Sequence, residues 1–318
     1  MKKRKPLDHC ALLFPAAFAL LCLAQLSFAG FGSADKGTSA AQFLKLGAGA
    51  RAAGMGEAYS AVCAGADAVY WNPGALSGLN GISGTFTHAE LFGALNYEYL
   101  GYAQAFKEAG TIGLGIQYLS AGSIPETDSG GFETGSDMNP VQLAAALAYS
   151  RKIGGFGIGA AAKYIKARLA ETATALTADA GILSPGFINN KLRLAVVVQN
   201  AGGRLKYGQQ SDPLPLNLKM GGAFSVSDNF ILGLDLNSPR DNRLYAAAGA
   251  EYLLRYSAVS FAARFGYNSR TMGEIDGLTG VSAGLGLMCH DLALDYAFAP
   301  FGSLGSAHRI SFSFKFGG

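Results

Sequence analysis

The feature that most constrains this chain is an alternation of bulky apolar residues with small or charged ones. It recurs in segments of about ten residues from residue 82 to the end. The last segment carries large apolar residues at every second position: Ile310, Phe312, Phe314 and Phe316. Helical spacing of 3.6 residues per turn would mix the two sets, so the segment is predicted to be a strand with one face for hydrocarbon and one for water.

The composition restricts where such strands can lie. Charged residues make up 15% of the chain and hydrophobic residues 50%, with 44 glycines, whereas soluble domains carry about 25% charge. After residue 30 there is no run of the ~20 apolar residues that a membrane helix needs. A soluble sandwich also alternates, but its outward face would be rich in Lys, Glu and Thr, and here the second face is mainly Gly, Ala and Ser. These observations favour a transmembrane β-barrel.

The alternating segments predict about fourteen strands, an even number as in bacterial barrels. Their predicted spans are 82–90, 95–106, 111–120, 140–150, 156–168, 175–184, 191–199, 216–226, 230–237, 243–253, 258–267, 279–288, 291–298 and 308–316. The long connections, at 121–139, 200–215, 268–278 and 299–307, all follow odd-numbered strands. Loop sorting of this kind predicts an antiparallel transmembrane β-barrel over 81–318 in the bacterial outer membrane, with both termini in the periplasm.

Residues 1–29 account for the one long apolar run. A positive start from Lys2 to Lys5 precedes an apolar stretch, and Ser27-Phe28-Ala29 gives a small-x-small cleavage site. We predict a cleaved signal peptide; the alternative is a retained anchor. Cleavage would leave Cys63 and Cys289, which we expect to be two buried free thiols, although a disulfide is permitted outside the cytoplasm.

Residues 30–80 lack the alternation and contain short helical patches at 40–46 and 57–64. Such a segment lies either in the periplasm or inside the barrel. Because about fourteen strands enclose more space than small inward side chains fill, we predict an N-terminal plug.

Alternation also places charges of both signs on the inward face: Lys163, Asp179, Arg193, Lys219, Asp235, Glu251, Arg264, Asp295, Arg309 and Lys315. Charges inside a barrel need partners or water, so we predict a bracing network, with a polar path or ligand site as the alternative. The sequence has no zinc-ligand spacing and no basic block, which argues against a metal centre, a cofactor and nucleic acid. Three histidines, His88, His290 and His308, fall at strand ends without an obvious Ser or Asp partner, so the chain is predicted not to be an enzyme.

Two N-terminal stretches, Ala41–Gly56 and Ala66–Pro73, resemble the PorV/PorQ family of outer-membrane proteins, which is similar in fold to the FadL-type fatty-acid channels. The closing segment His308–Gly317 resembles that family's last strand. The resemblance implies a fourteen-stranded barrel with its N-terminal segment as a plug, and a plug motif at Asp67, Trp71, Asn72 and Pro73. One departure is that Gly74-Ala75 follows Asn72-Pro73 where the family pattern has Ala-Gly.

For function, the resemblance implies a role in type IX secretion, in which PorV members receive exported cargo proteins at the cell surface. The alternative it implies is a FadL-like channel that takes up hydrophobic small molecules. Expected partners are therefore outer-membrane lipids together with exported proteins and secretion components, or with hydrophobic solutes. Composition and spacing do not separate these two roles.

Overall fold

The computed structural model describes residues 36–169, 171–271 and 275–317, so the predicted signal peptide lies outside the described residues. Fourteen strands form one closed antiparallel barrel. They are β1 (Ile82–Leu91), β2 (Leu95–Phe106), β3 (Gly110–Ser120), β6 (Val141–Ile153), β7 (Phe156–Arg168), β8 (Thr172–Leu183), β9 (Leu192–Ala201), β12 (Asn217–Ser227), β13 (Phe230–Pro239), β14 (Tyr245–Tyr256), β15 (Val259–Asn268), β16 (Val281–Cys289), β17 (Leu292–Pro300) and β18 (Ser306–Phe316). The predicted strand number and fold class are confirmed, and each predicted strand overlaps one of these.

The barrel closes between its first and last strands, β1 and β18, which pair along their whole length with Phe86 opposite Phe312. Every other neighbouring pair in the barrel is also antiparallel, and closure leaves the barrel wall without a free edge. Two further strand pairs lie outside the barrel. These are the hairpin β4 (Ile124–Thr127) with β5 (Glu133–Met138) and the hairpin β10 (Arg204–Tyr207) with β11 (Gln210–Pro213). Both lie in segments that the sequence predicts only as long loops.

Side chains alternate across the wall as predicted. Outward positions carry large apolar residues such as Leu100, Phe265 and Leu285, the last with 66% of its surface exposed. Inward positions are buried, and most of them on β7 and β8 are small or polar. This outward apolar belt suits hydrocarbon, as in transmembrane barrels. No helix among the described residues is long and apolar enough to cross a membrane.

The connections sort to the two ends of the barrel. We call the end with residues 107–109, 154–155 and 257–258 the short-turn end, and the end with both hairpins the long-loop end. Two short 3-10 turns, Ser269–Thr271 and Gly302–Leu304, also lie in loops at the long-loop end. Strand β1 begins, and β18 finishes, at the short-turn end.

Residues 38–80, here called the interior segment, lie against the inward face of the barrel. The segment contains 3-10 turns at Gln42–Lys45, Gly65–Asp67 and Pro73–Gly78 and short helices at Ala50–Gly54 and Ala68–Trp71. The helical patch predicted at 57–64 is wrong, because Gly56 and Glu57 both adopt a positive φ and end the preceding helix. The largest buried side chains of the interior segment, Trp71 and Tyr59, form the main apolar core with inward alanines of the strands.

The interior segment runs from one end of the barrel to the other. At the long-loop end the Ala40 N–H donates to the Pro213 carbonyl at 2.9 Å, and at the short-turn end the Ala105 N–H donates to the Gly81 carbonyl at 2.8 Å. The described chain therefore starts at the long-loop end and finishes at the short-turn end, while the predicted mature N-terminus lies outside the described residues. At the long-loop end Ala40 docks on a hairpin that the sequence pattern did not reveal.

Candidate functional site in the barrel interior

Backbone atoms pack closely where the Asn72-Pro73-Gly74 turn meets glycines of β7 and β8. A Cβ built on Gly74 would lie 2.5 Å from the Gly181 carbonyl oxygen and 2.6 Å from that of Gly157, and one on Gly159 would lie 2.5 Å from the Pro73 carbonyl carbon. Contacts this short with backbone atoms leave no room for a side chain. Gly74, the departure from the family pattern, is therefore explained by close approach of two backbones.

Asn72 fixes this turn through both ends of its amide. Its Nδ2 donates to the Ser60 carbonyl at 3.0 Å and to the Ile182 carbonyl at 3.3 Å, while its Oδ1 accepts from the Gly74 N–H at 3.0 Å. The side chain is fully buried. It thus ties two parts of the interior segment to the wall at β8.

Trp71 is the central aromatic of the interior. Its Nε1 donates to the Ala48 carbonyl at 2.8 Å, and Tyr59 and Tyr70 meet it edge-on at centroid distances of 5.7 and 4.9 Å. The ammonium of Lys219, on β12, lies 4.6 Å from its ring centroid. A buried cation over an indole face is a favourable arrangement.

Two inward carboxylates bind the interior segment to the strands. Asp235 accepts from the Tyr59 N–H at 3.2 Å, from the Ser60 N–H at 3.0 Å and from the Ser60 hydroxyl at 2.8 Å. Glu251 accepts hydrogen bonds from both Nε and Nη2 of Arg51, at 2.8 and 2.6 Å. Because charge-assisted bonds of this kind are strong when buried, they anchor the segment at two heights.

The Glu251 contact continues along the wall as a network. Arg264 Nε donates to Glu251 at 2.6 Å, and Arg264 Nη1 donates to Asp295 at 2.7 Å. All three side chains are almost fully buried. A separate pair joins Lys163 to Asp179 at 2.8 Å, with Asn200 accepting from the same ammonium.

The remaining predicted inward charges are more exposed or lie outside the Glu251–Arg264–Asp295 network. Arg309 is buried and donates to the Gly47 carbonyl at 2.9 Å, with Glu57 3.9 Å away. Arg193 is half-buried, and Lys315 is exposed at the short-turn end. The structure thus brings together Glu251, Arg264 and Asp295 and leaves the other predicted charges in separate contacts.

Asp67 is the one member of the predicted plug motif with an unsatisfied atom. Among the described residues its Oδ1 accepts no hydrogen bond. It belongs to the interior segment and not to a membrane-spanning strand. Burial raises the pKa of its carboxyl to about 7, with the Thr85 hydroxyl and the Arg51 guanidinium acting in the opposite direction. Near neutral pH it therefore exchanges between its charged and neutral forms.

At the long-loop end a loop carboxylate holds the start of the interior segment. Asp241 accepts from the Lys45 ammonium at 2.5 Å and from the Gln42 amide at 2.7 Å. Burial acts to raise the pKa of Asp241, but these two bonds outweigh it and lower the pKa. Burial also lowers the pKa of Lys45, an effect that Asp241 partly offsets.

Cavities lie on both sides of the interior segment. The cavity at the short-turn end has a volume of about 570 Å³ and is lined by residues that include Asp67, Arg51 and Lys315. The cavity at the long-loop end holds about 50 Å³ and lies between Arg309, Arg270 and an apolar wall that includes Phe298 and Phe301. The two cavities share no lining residue.

Sequence reasoning missed several residues that hold the site together. Arg51 and Glu57 lie in the interior segment, where there is no alternation to mark a face. A signal for Arg51 was present, because a lone arginine in a Gly/Ala run needs a buried partner. Cys63 and Cys289 are both free, as expected, but Cys289 is exposed and not buried, because it faces outward at the end of β16. Among the described residues no group of His, Cys, Asp or Glu is arranged to hold a metal ion.

The model of the family described as Type IX secretion system protein PorV matches residues 33–238. No curated protein sequence matches the chain significantly. Three solved structures with the same fold are the Pseudomonas putida toluene transporter TodX, the Ralstonia pickettii toluene transporter TbuX and a Pseudomonas aeruginosa FadL homologue. For TodX the identity is 14% and the TM-score 0.56, with 84% of this chain and 96% of that chain covered.

TbuX is 13% identical, with a TM-score of 0.55 over 85% of this chain and 98% of that chain. The FadL homologue is 11% identical, with a TM-score of 0.57 over 84% of this chain and 98% of that chain. At these identities the likeness establishes the barrel architecture alone.

Proposed function

Because this chain belongs to the PorV family of type IX secretion system proteins, we propose that it is an outer-membrane component of that system and binds exported proteins on its long-loop end. In this proposal the long-loop end faces outside the cell and the short-turn end faces the periplasm, as the sorting of loops by length favours. The interior segment acts as a plug, and exported proteins bind to the outer surface of the barrel.

The observation that carries the proposal, beside the family match, is the packing of the interior segment. Backbone atoms of residues 73 and 74 approach wall glycines so closely that no side chain fits between them. Buried ion pairs at Arg51 and hydrogen bonds at Asp235 fasten the same segment. Moving it to open a path would break several buried polar contacts, each costly to leave unpaired. This favours a role on the outer surface over transport through the lumen.

The hairpin β4–β5 is the best-suited binding element. All its residues except Met138 are exposed. It carries Glu126, Asp128, Glu133 and Asp137 and no basic residue. At its tip Asp128 Oδ1 accepts from the Gly130 and Phe132 N–H groups at 2.8 and 3.0 Å, which holds Phe132 with 75% of its surface exposed. An ordered aromatic tip on an acidic arm fits a protein surface with basic and apolar groups.

The test is to replace Phe132 by Ala, and separately residues 124–138 by a short Gly-Ser linker, in the full chain in its own cells. Both changes leave the interior untouched. We expect delivery of exported proteins to the cell surface to fall severalfold, measured by quantitative mass spectrometry of surface and medium. The matched control is Leu304→Ala, an exposed apolar residue in another loop of the same end, which should leave delivery unchanged.

The alternative is a channel for hydrophobic small molecules, and the apolar wall of the long-loop-end cavity favours it. The variant Ala299→Trp fills that cavity without touching the hairpins. A channel predicts that this variant loses uptake of radiolabelled toluene or oleate while its exported proteins are normal, and that the hairpin variants take up both compounds normally. Those results together would contradict the secretion role and support the channel.

A further inference from the structure

The outward face of the barrel is interrupted near the long-loop end of β18, β1 and β2. Five polar side chains there face away from the lumen, and we call them the wall patch: His88, Glu90, Asn96, Glu98 and His308. In the strand register Glu90 lies between His308 and Asn96, and His88 lies between Ile310 and Glu98. The next outward row towards the short-turn end is apolar, with Phe312, Phe86 and Leu100. The wall patch thus directly borders the apolar belt.

The wall patch is held in an ordered arrangement. His88 Nδ1 and Glu98 Oε1 are 2.6 Å apart, and His308 contacts the Tyr296 hydroxyl at 2.8 Å and the Ser306 hydroxyl at 3.1 Å. The second oxygen of Glu98 is shielded from solvent and accepts no hydrogen bond from the described residues. Carboxylates on the lipid side of a barrel are most unfavourable at the bilayer midplane and are tolerated near the interfaces, which is the level of the wall patch.

Charge divides the rim of the barrel. On β7 the outward residues nearest the long-loop end are Lys166 and Arg168, followed on β8 by Thr172 and Thr174. Cations at this level attract the phosphates of anionic lipids. Glu90 and Glu98 carry the opposite sign and repel the same headgroups. The β7–β8 side of the rim therefore suits lipid, and the β18–β1–β2 side does not.

We propose that the wall patch is a lateral docking surface for another membrane protein that presents arginine or lysine at this level. A guanidinium offers a planar fork that matches a carboxylate, and apolar residues of the same partner would cover the row of Phe86, Leu100 and Phe312. The inference goes beyond the proposed secretion role, because exported proteins are proposed to bind the long-loop end and the wall patch lies on the side of the barrel.

The test is site-specific photo-crosslinking in the outer membrane of the cells, with benzoylphenylalanine at Asn96 in the full chain. We expect a discrete protein adduct whose yield falls about tenfold in the double variant Glu90→Gln with Glu98→Gln, a change that corresponds to one charge pair. The matched control, Lys166→Gln with Arg168→Gln, should leave the yield unchanged. Benzoylphenylalanine at Thr174, on the lipid side of the rim, should give no protein adduct.

A second arm uses the chain with its charges intact and does not depend on the folding of any carboxylate variant. Crosslinking at Asn96 in isolated membranes should weaken at about 0.5 M NaCl, because salt screens exposed charge pairs. Support requires both charge dependence and a crosslinked peptide that carries Arg or Lys. The proposal would be overturned by a protein adduct whose yield changes neither with salt nor with the Glu90→Gln and Glu98→Gln variant. It would also be overturned by an adduct with lipid alone, by an adduct with a second copy of this chain, or by no adduct at Asn96.

Discussion

Gly74 lies where backbone atoms of the interior segment pack tightly against the barrel wall. Its φ is not in the left-handed region, so the need for glycine is one of space and not of backbone conformation. The opposing atoms are carbonyl oxygens of β7 and β8, which belong to ladders of hydrogen bonds and cannot move aside independently. The absence of a side chain at Gly74 therefore allows the turn to pack directly against the wall.

We predict that Gly74→Ala destabilises the folded barrel by about 1–3 kcal/mol, the usual cost of overpacking a tight interior. The measurement is urea unfolding of the detergent-folded protein, followed by the loss of its heat-modifiable migration on gels. Gly78→Ala is the control, because a Cβ there meets nothing within 4 Å and the glycine ends the same 3-10 turn. Equal stability of the two variants would mean that the close approach is relieved at little cost.

The inward charges on the strands could be predicted at the residue scale, because a period of two assigns each to a face. Their partners could not. Arg51 and Glu251 are 200 positions apart in sequence, and only closure of the barrel around the interior segment brings them together. The outward carboxylates Glu90 and Glu98 were equally visible in the sequence, but their significance depends on the neighbouring strands β18 and β2.

At the scale of elements, the fourteen barrel strands were predictable because burial on one side and exposure on the other impose the alternation directly. The hairpins β4–β5 and β10–β11 were not, because nearly all of β4–β5 is exposed and no burial pattern marks it. The conformation of the interior segment is determined neither by alternation nor by exposure. Its turns are fixed by contacts with the wall, such as the two N–H groups that bond Asp235, and local sequence predicts such turns poorly.

The direction of the interior segment gives a prediction at this scale. Single cysteines at Gly37, Ser129 and Gln209, in a chain with Cys63 and Cys289 replaced by Ala, should react with an impermeant maleimide on intact cells. Cysteines at Glu108 and Asn190, in short turns, should react only after the envelope is broken. Gly37 is the informative position, because it precedes the residue that docks on β11. Labelling of Gly37→Cys only in broken cells would reverse the direction proposed for the segment.

At the scale of the whole molecule, the barrel and its contents form one packed object. The core around Trp71 includes residues of the interior segment together with inward residues from β1, β2 and several other strands. Cavities remain on either side, and the larger one opens at the short-turn end. We therefore predict that one continuous stretch of about forty residues closes the lumen.

Removal of residues 38–80 should therefore raise single-channel conductance in planar bilayers, provided that the shortened chain still shows heat-modifiable migration. A full-length chain with Arg51→Ala and Asn72→Ala gives a second readout, since loosening the segment should produce transient openings. Leu304→Ala is the control in both cases. A correctly folded deletion with the conductance of the full chain would show that the segment does not close the lumen.

The interior segment leads directly into β1, and β1 closes the barrel against β18. The segment carries bulky groups such as Tyr59 and Trp71 and spans the barrel from end to end, while threading a chain through a closed ring is avoided in folding. The order of assembly follows from this connectivity. We expect the segment to lie against the concave side of the sheet before the ring closes, with Asp235 and Glu251 available to receive it. The joint between β1 and β18 then forms last, around contents that are already in place.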